Sequence, residues 1–136
     1  MDYLMPTMSF GYSKYLTASS FLLAPPVWVA FRHKREIAPL YALIFLTSVN
    51  YWRAPVYGFR RTLDVVAVRV TVGAAFWHGY HHAVGVKRAA GYASLGACAL
   101  LYGSSWYLHA NRRVAWIAAH MALHLSAAAG LVLAIC

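Results

Sequence analysis

Residues 114–135 read VAWIAAHMALHLSAAAGLVLAI. The stretch contains no Asp, Glu, Lys, Arg or Pro, and its alanines and leucines are strong helix formers. At ~1.5 Å per residue such a helix is roughly 33 Å long, enough to cross the ~30 Å hydrocarbon core of a bilayer. Its only ionisable side chains are His120 and His124, and positions i and i+4 share a helix face. Counted from Val114, the two imidazoles lie roughly 9 and 15 Å into the span. At that depth polar side chains face protein, cofactor or water rather than lipid.

The rest of the chain is of the same kind. Of 136 residues, 62% are hydrophobic and 11% charged, against the ~45–50% and ~25% of a soluble domain. The mean hydropathy of +0.54 agrees. The expected fold is all-α: one polytopic membrane bundle of about five transmembrane helices over residues 1–136. The spans are placed at about 15–31, 37–52, 62–78, 89–109 and 114–135, with Pro25-Pro26 expected to kink the first. Small residues mark packing faces: Ala122, Ser126 and Gly130 on the fifth span, Ala93 and Ala97 on the fourth.

The formal charge of +9 does not point to nucleic acid. Arg32, Lys34, Arg35, Arg53, Arg60, Arg61, Lys87, Arg88, Arg112 and Arg113 fall in the short breaks between apolar runs. Those are headgroup positions, where basic side chains meet anionic lipid. Five spans put the two ends of the chain on opposite sides. One side then carries Lys14, Arg53, Arg60, Arg61, Arg112 and Arg113, the other Arg32, Lys34, Arg35, Lys87 and Arg88. Six against five leaves the positive-inside rule without a vote on orientation. No basic cluster precedes the first apolar run and no small-residue cleavage site follows it, so no cleaved signal peptide is expected. Cys98 and Cys136 both lie in apolar stretches and read as small hydrophobes rather than a disulfide.

This topology tests which polar groups share a depth. Ser48 lies near the end of span two, Asp64 in the first turn of span three, and His109 closes span four. All three fall in the half of the membrane where span five begins, with His120 and His124. A joint site is therefore allowed. Each member also has a structural role open to it. Asp64 after Thr62 suits a helix start, and Arg60 and Arg61 are within pairing distance along the helix. Ser48 can bond its own backbone, and His109 suits the interface. The histidine pair can join helices by hydrogen bonds or ligate a metal, haem iron or chlorophyll magnesium. His78 and His82, with His81, form a second cluster at the far end of span three, where Gly79 and Gly85 suggest fraying. It reads as a headgroup-boundary cluster, or as a haem or metal site. Arg69, about 10 Å into span three, calls for a lipid phosphate or a neighbouring subunit.

The order of these residues resembles the superfamily of alkaline ceramidases, adiponectin receptors and haemolysin III proteins. That group carries a Ser-x-x-x-His pair, an Asp on the next span and a His-x-x-x-His pair on its last. Ser48 matches the serine, Asp64 the aspartate, and His120-Met-Ala-Leu-His124 the final pair. Position 52 is Trp where the group has its first histidine, and five spans stand against the group's seven. The resemblance implies zinc on histidines, a metal-polarised water attacking a lipid amide, and assistance from Ser48 and Asp64.

Three functions follow. The leading expectation is a small accessory or assembly subunit of a larger membrane complex, in contact with membrane lipids and other subunits. The alternative is a zinc-dependent lipid amide or ester hydrolase, with Ser48 and Asp64 catalytic and His120, His124 and His109 on the metal. A second alternative is a haem- or chlorophyll-binding subunit, with His78 and His82 as cofactor ligands. No soluble segment is large enough for a nucleotide site.

Overall fold

The computed structural model describes residues 10–55, 58–111 and 113–136, with side chains from Ser13 onward. Every regular element among them is helical: α1 (Phe10–Ser20), a 3₁₀ turn (Phe21–Leu23), α2 (Ala24–His33), α3 (Ala38–Trp52), α4 (Phe59–His82), α5 (Gly85–Ala110) and α6 (Trp116–Ile135). The chain is all-α, as expected. Among the described residues, only α6 is by itself long and apolar enough to cross a membrane. The other expected spans miss that test for local reasons. The 3₁₀ turn divides α1 from α2, and α3 has 15 residues. Arg60, Arg61, Asp64 and Arg69 load α4 with charge.

The expected proline kink is instead the 3₁₀ turn just ahead of Pro25-Pro26. Pro25 and Pro26 occupy the first turn of α2, where a missing N–H leaves no intrahelical bond unmade. Ser20, Leu23 and Ala24 all keep right-handed helical dihedrals, so α1, the turn and α2 form one nearly continuous rod. Helix α4 begins at Phe59 behind Gly58, whose φ is +123°, with no side-chain cap. Thr62 therefore lies inside the helix, and its hydroxyl donates to Gly58 O. At the other end α4 runs through Gly79 to His82 and stops at extended Ala83 and Val84. The break falls beside Gly85, whose φ of +57° favours glycine.

Helix α6 is the hub and packs against α1, α2, α4 and, most extensively, α5. Helix α5 rests on α6 and hardly touches α4. The main apolar core joins Leu23, Ala30, Tyr41, Ile44, Ala75, Ala128 and Leu131, tied by Tyr41 OH donating to Leu131 O at 2.7 Å. The stripe on α6 works as expected: Ser94 Oγ donates to Ser126 O at 2.7 Å, and a Cβ on Gly130 would lie 2.9 Å from Ser94 Oγ. On α5 the packing face is turned from the expected one. Ser94, Ala97 and Cys98 are partly covered and Ala93 is exposed.

Short polar side chains share the interior with the apolar core, and large apolar side chains lie on the surface. Ser13, Ser19, Ser20, Thr47, Ser48, Asp64, Thr71, Ser105 and His124 are buried. Trp28, Leu46, Trp77, Leu100, Trp106 and Leu125 are exposed.

Candidate functional site

The polar interior gathers at the end of the bundle where α3 ends and α6 begins. His120 and His124 share a face of α6, their ring centroids 5.0 Å apart at 83°. Each reaches a different helix. His124 Nδ1 lies 2.7 Å from Ser19 Oγ on α1. His120 Nδ1 lies 3.3 Å from Ser105 Oγ on α5. Ser19 and Ser105 also lie within bonding distance of Leu16 O and Trp116 O, at 3.0 and 3.4 Å. A hydroxyl has one proton. If it goes to the carbonyl, Nδ1 of the imidazole donates and Nε2 keeps its lone pair.

Ser48 and Asp64 face the same interior through other partners. Ser48 Oγ is 3.1 Å from Ser20 Oγ, and Ser20 donates to Leu16 O at 2.7 Å. Asp64 Oδ1 accepts from Thr47 Oγ1 at 3.1 Å, so the carboxylate joins α4 to α3 rather than capping its own helix. Each of these four candidates thus bridges two helices: α6 to α1, α6 to α5, α3 to α1, and α4 to α3.

Trp52, one turn beyond Ser48, packs edge-on against His120 with centroids 5.0 Å apart. It also touches Tyr51 and Trp116. Its Nε1 is buried and has no hydrogen-bond partner among the described residues. An orphaned buried donor costs ~1–3 kcal/mol, and this indole is the one such side-chain atom among the described residues.

His109 stands apart. It is exposed at the end of α5, its ring edge-on to Trp116 at 4.9 Å. Among the described residues no three or more His, Cys, Asp or Glu side chains lie together as a metal-binding group. A catalytic zinc takes three protein ligands and an open position. The imidazole pair supplies two, so the residues present do not fit that metal.

His78 and His82 do lie together, stacked at 4.3 Å and 15°. His78 Nδ1 contacts Ala134 O and His82 Nδ1 contacts His78 O, both at 2.9 Å. Two imidazoles in van der Waals contact leave no gap between them for a macrocycle. His81 is drawn off to Trp77 and Tyr80. Arg69 lies on the exposed side of α4 beside exposed Val66, Val68 and Val70, and is not buried within the chain. Cys98 and Cys136 are free.

Ser19, Ser20, Thr47 and Ser105 complete the cluster and carry no sequence signal of their own. Each is a short hydroxyl in an apolar run, a pattern that equally suits a side chain bonded to its own helix. No family model, curated protein or solved structure matches the chain.

Proposed function

We propose that the chain is a multi-pass membrane protein acting as an accessory or assembly subunit of a larger membrane complex. In this reading its polar core pins helices together and does not catalyse. The carrying observation is the use made of the inward-facing groups: buried His124, Ser48 and Asp64 and half-buried His120 each meet a hydroxyl on another helix, with no third ligand beside the histidines among the described residues. Interhelical hydrogen bonds between small polar side chains are a main source of specificity in bilayers.

The membrane part of the proposal draws support from the large apolar side chains on the surface and from helix length. The rod over residues 10–33, α4 and α5 have 24, 24 and 26 residues, or roughly 36–39 Å at the helical rise. Each exceeds the ~30 Å apolar core. Arg69 supports the subunit part. A guanidinium on the lipid-facing side of α4, roughly 15 Å from its start, suits an acidic or carbonyl partner on a neighbouring subunit, or a lipid phosphate.

One observation favours a second reading. The orphaned Trp52 N–H beside His120 suits a site that receives a hydrogen-bond acceptor, such as a lipid amide carbonyl. With the resemblance to the ceramidase group, it keeps a hydrolase-like ancestry open at Ser48, Asp64, His120 and His124.

One purified sample in mild detergent separates these readings by light scattering, elemental analysis and visible spectroscopy. The subunit reading expects a complex of fixed stoichiometry, no stoichiometric zinc and no Soret or chlorin band. A stable monomer overturns it. Bound zinc with ceramide-cleaving activity installs the hydrolase, and a haem or chlorophyll spectrum installs the cofactor carrier.

A further inference from the structure

Further along α6 than the histidine pair, an apolar groove of about 100 Å³ opens between α4, α5 and α6. That is several times the space one water needs. It exists because α4 and α5 both rest on α6 yet barely touch each other. Its walls include Val72, Phe76, Tyr92, Leu95, Leu131 and Leu133. Gly91 lies along it, and a Cβ there would meet nothing within 4 Å. From Lys87 to Cys98, both on its wall, the groove follows α5 for roughly 16 Å at the helical rise.

One end of the groove is basic, formed by Lys87 and Arg88 at the start of α5. Both cations are held in place. Arg88 donates from Nε to Ala83 O at 2.9 Å and from Nη2 to Tyr80 O at 2.7 Å, and lies over the Tyr80 ring. Lys87 donates to Cys136 O. A guanidinium has five N–H donors and an ammonium three, so three remain on Arg88 and two on Lys87. The only acidic side chains in the sequence are Asp2, Glu36 and Asp64; neither Glu36 nor Asp64 lines the groove. The acceptor beside Lys87 is the main-chain oxygen of Cys136, which leaves Arg88 as the cation of the two free of any negative group among the described residues. A narrow apolar slot ending in anchored cations with donors to spare complements one class of molecule, an anionic amphiphile.

We infer that the α4–α5–α6 groove binds the acyl chain of an anionic phospholipid, its phosphate seated on Lys87 and Arg88. The inference rests on the membrane reading and is independent of whether the chain is a subunit. A lipid bound here wedges apart two helices that have little contact of their own.

The test is native mass spectrometry of the full chain released from detergent. Dioleoyl phosphatidylglycerol, dioleoyl phosphatidylcholine and inorganic phosphate are titrated separately. One saturable phosphatidylglycerol adduct is expected, favoured over phosphatidylcholine by roughly thirtyfold, the product of two basic side chains near one headgroup. Gly91→Leu, which fills the groove, should abolish it, while Gly73→Leu, equally open but outside the groove, should not. Lys87→Gln should cut the preference about fivefold and leaves the Arg88 contacts to α4 intact. Equal retention of both lipids, many unsaturable adducts, or Gly91→Leu binding like wild type each overturn the inference. So does phosphate binding as tightly as the lipid, or a lipid-free dimer that Gly91→Leu dissociates. A chain that stays soluble without detergent removes the membrane premise instead.

Discussion

Removing the Ser19 hydroxyl separates an anchor from a metal ligand. Ser19 and His124 are 5% and 7% exposed, and their contact is 2.7 Å, so neither group has water as a substitute partner. Deleting one side of a buried hydrogen bond costs ~1–3 kcal/mol in general. Between membrane helices the average is about 0.6 and the upper limit about 1.7 kcal/mol, because the separated helices find other partners. Ser19→Ala should therefore cost about 1 kcal/mol, a fall of about 4 °C in Tm at this chain length. His124→Leu leaves Ser19 able to donate to Leu16 O at 3.0 Å, so its polar cost is smaller. The double variant should be less destabilised than the sum, with a coupling of about 1 kcal/mol. The assay is thermal unfolding of all four proteins in one detergent, with and without zinc. The anchor predicts no zinc dependence. If zinc at a hundred times its Kd stabilised wild type by about 2.7 kcal/mol, and His124→Leu removed that gain, the anchor would be refuted.

Trp52→Phe removes the orphaned N–H and should leave the stability within about 1 kcal/mol of wild type, since relief of the unsatisfied donor offsets a smaller ring in the core; a clear loss of stability together with loss of a bound lipid would argue for the ligand-binding reading. Asp64→Asn keeps an acceptor for Thr47 Oγ1 and should be tolerated, whereas Asp64→Leu leaves the hydroxyl only its 3.3 Å contact with Ile44 O and should lower Tm by a few degrees; equal Tm for the two variants would contradict the bridge. Gly130→Ala should cost about 2 kcal/mol by forcing Ser94 off Ser126 O, measured against Gly73→Ala as the open control. Arg69→Leu should leave the helices intact by circular dichroism and dissociate the complex in light scattering; an unchanged assembly would remove Arg69 from the interface.

The helical class was legible because apolar runs separated by basic breaks admit little else, and the i,i+4 placement of His120 and His124 carried directly into space. Local boundaries were less legible. Thr62 has the chemistry of a helix cap, yet Gly58 starts α4 one turn earlier because its positive φ ends the preceding segment. Gly79 has the propensity of a breaker yet stays helical in the last turn of α4, where α6 packs close, with Ala134 3.5 Å from the position of a Cβ. Ala93 reads as part of a packing face and is exposed, and Arg69, read as meeting a lipid phosphate or a neighbouring subunit, lies on the outer side of α4. Both depend on the rotation of a helix about its axis, which neighbouring helices set and local pattern does not. The hydroxyl partners were hidden for the same reason, since whether Ser19 bonds its own helix or a histidine 105 positions away is decided only by packing.

A ligand site and an anchor would occupy the same place in this bundle. Helix α6 touches α1, α2, α4 and α5, so polar groups on its inner face meet other helices wherever they sit, and an i,i+4 pair meets two at once. Convergence of Ser48, Asp64, His120 and His124 at one depth therefore does not by itself argue for chemistry. Hydrogen-bonding capacity left over after the helices are joined is what separates the two roles. Each imidazole keeps one ring nitrogen beyond its contact with a hydroxyl, and Trp52 keeps an entire buried N–H. In place of a third imidazole, an indole can donate to an oxygen but cannot hold a metal. A cluster with that surplus is suited to binding a polar lipid oxygen between helices without cleaving anything, and such a contact is compatible with a subunit whose task is assembly.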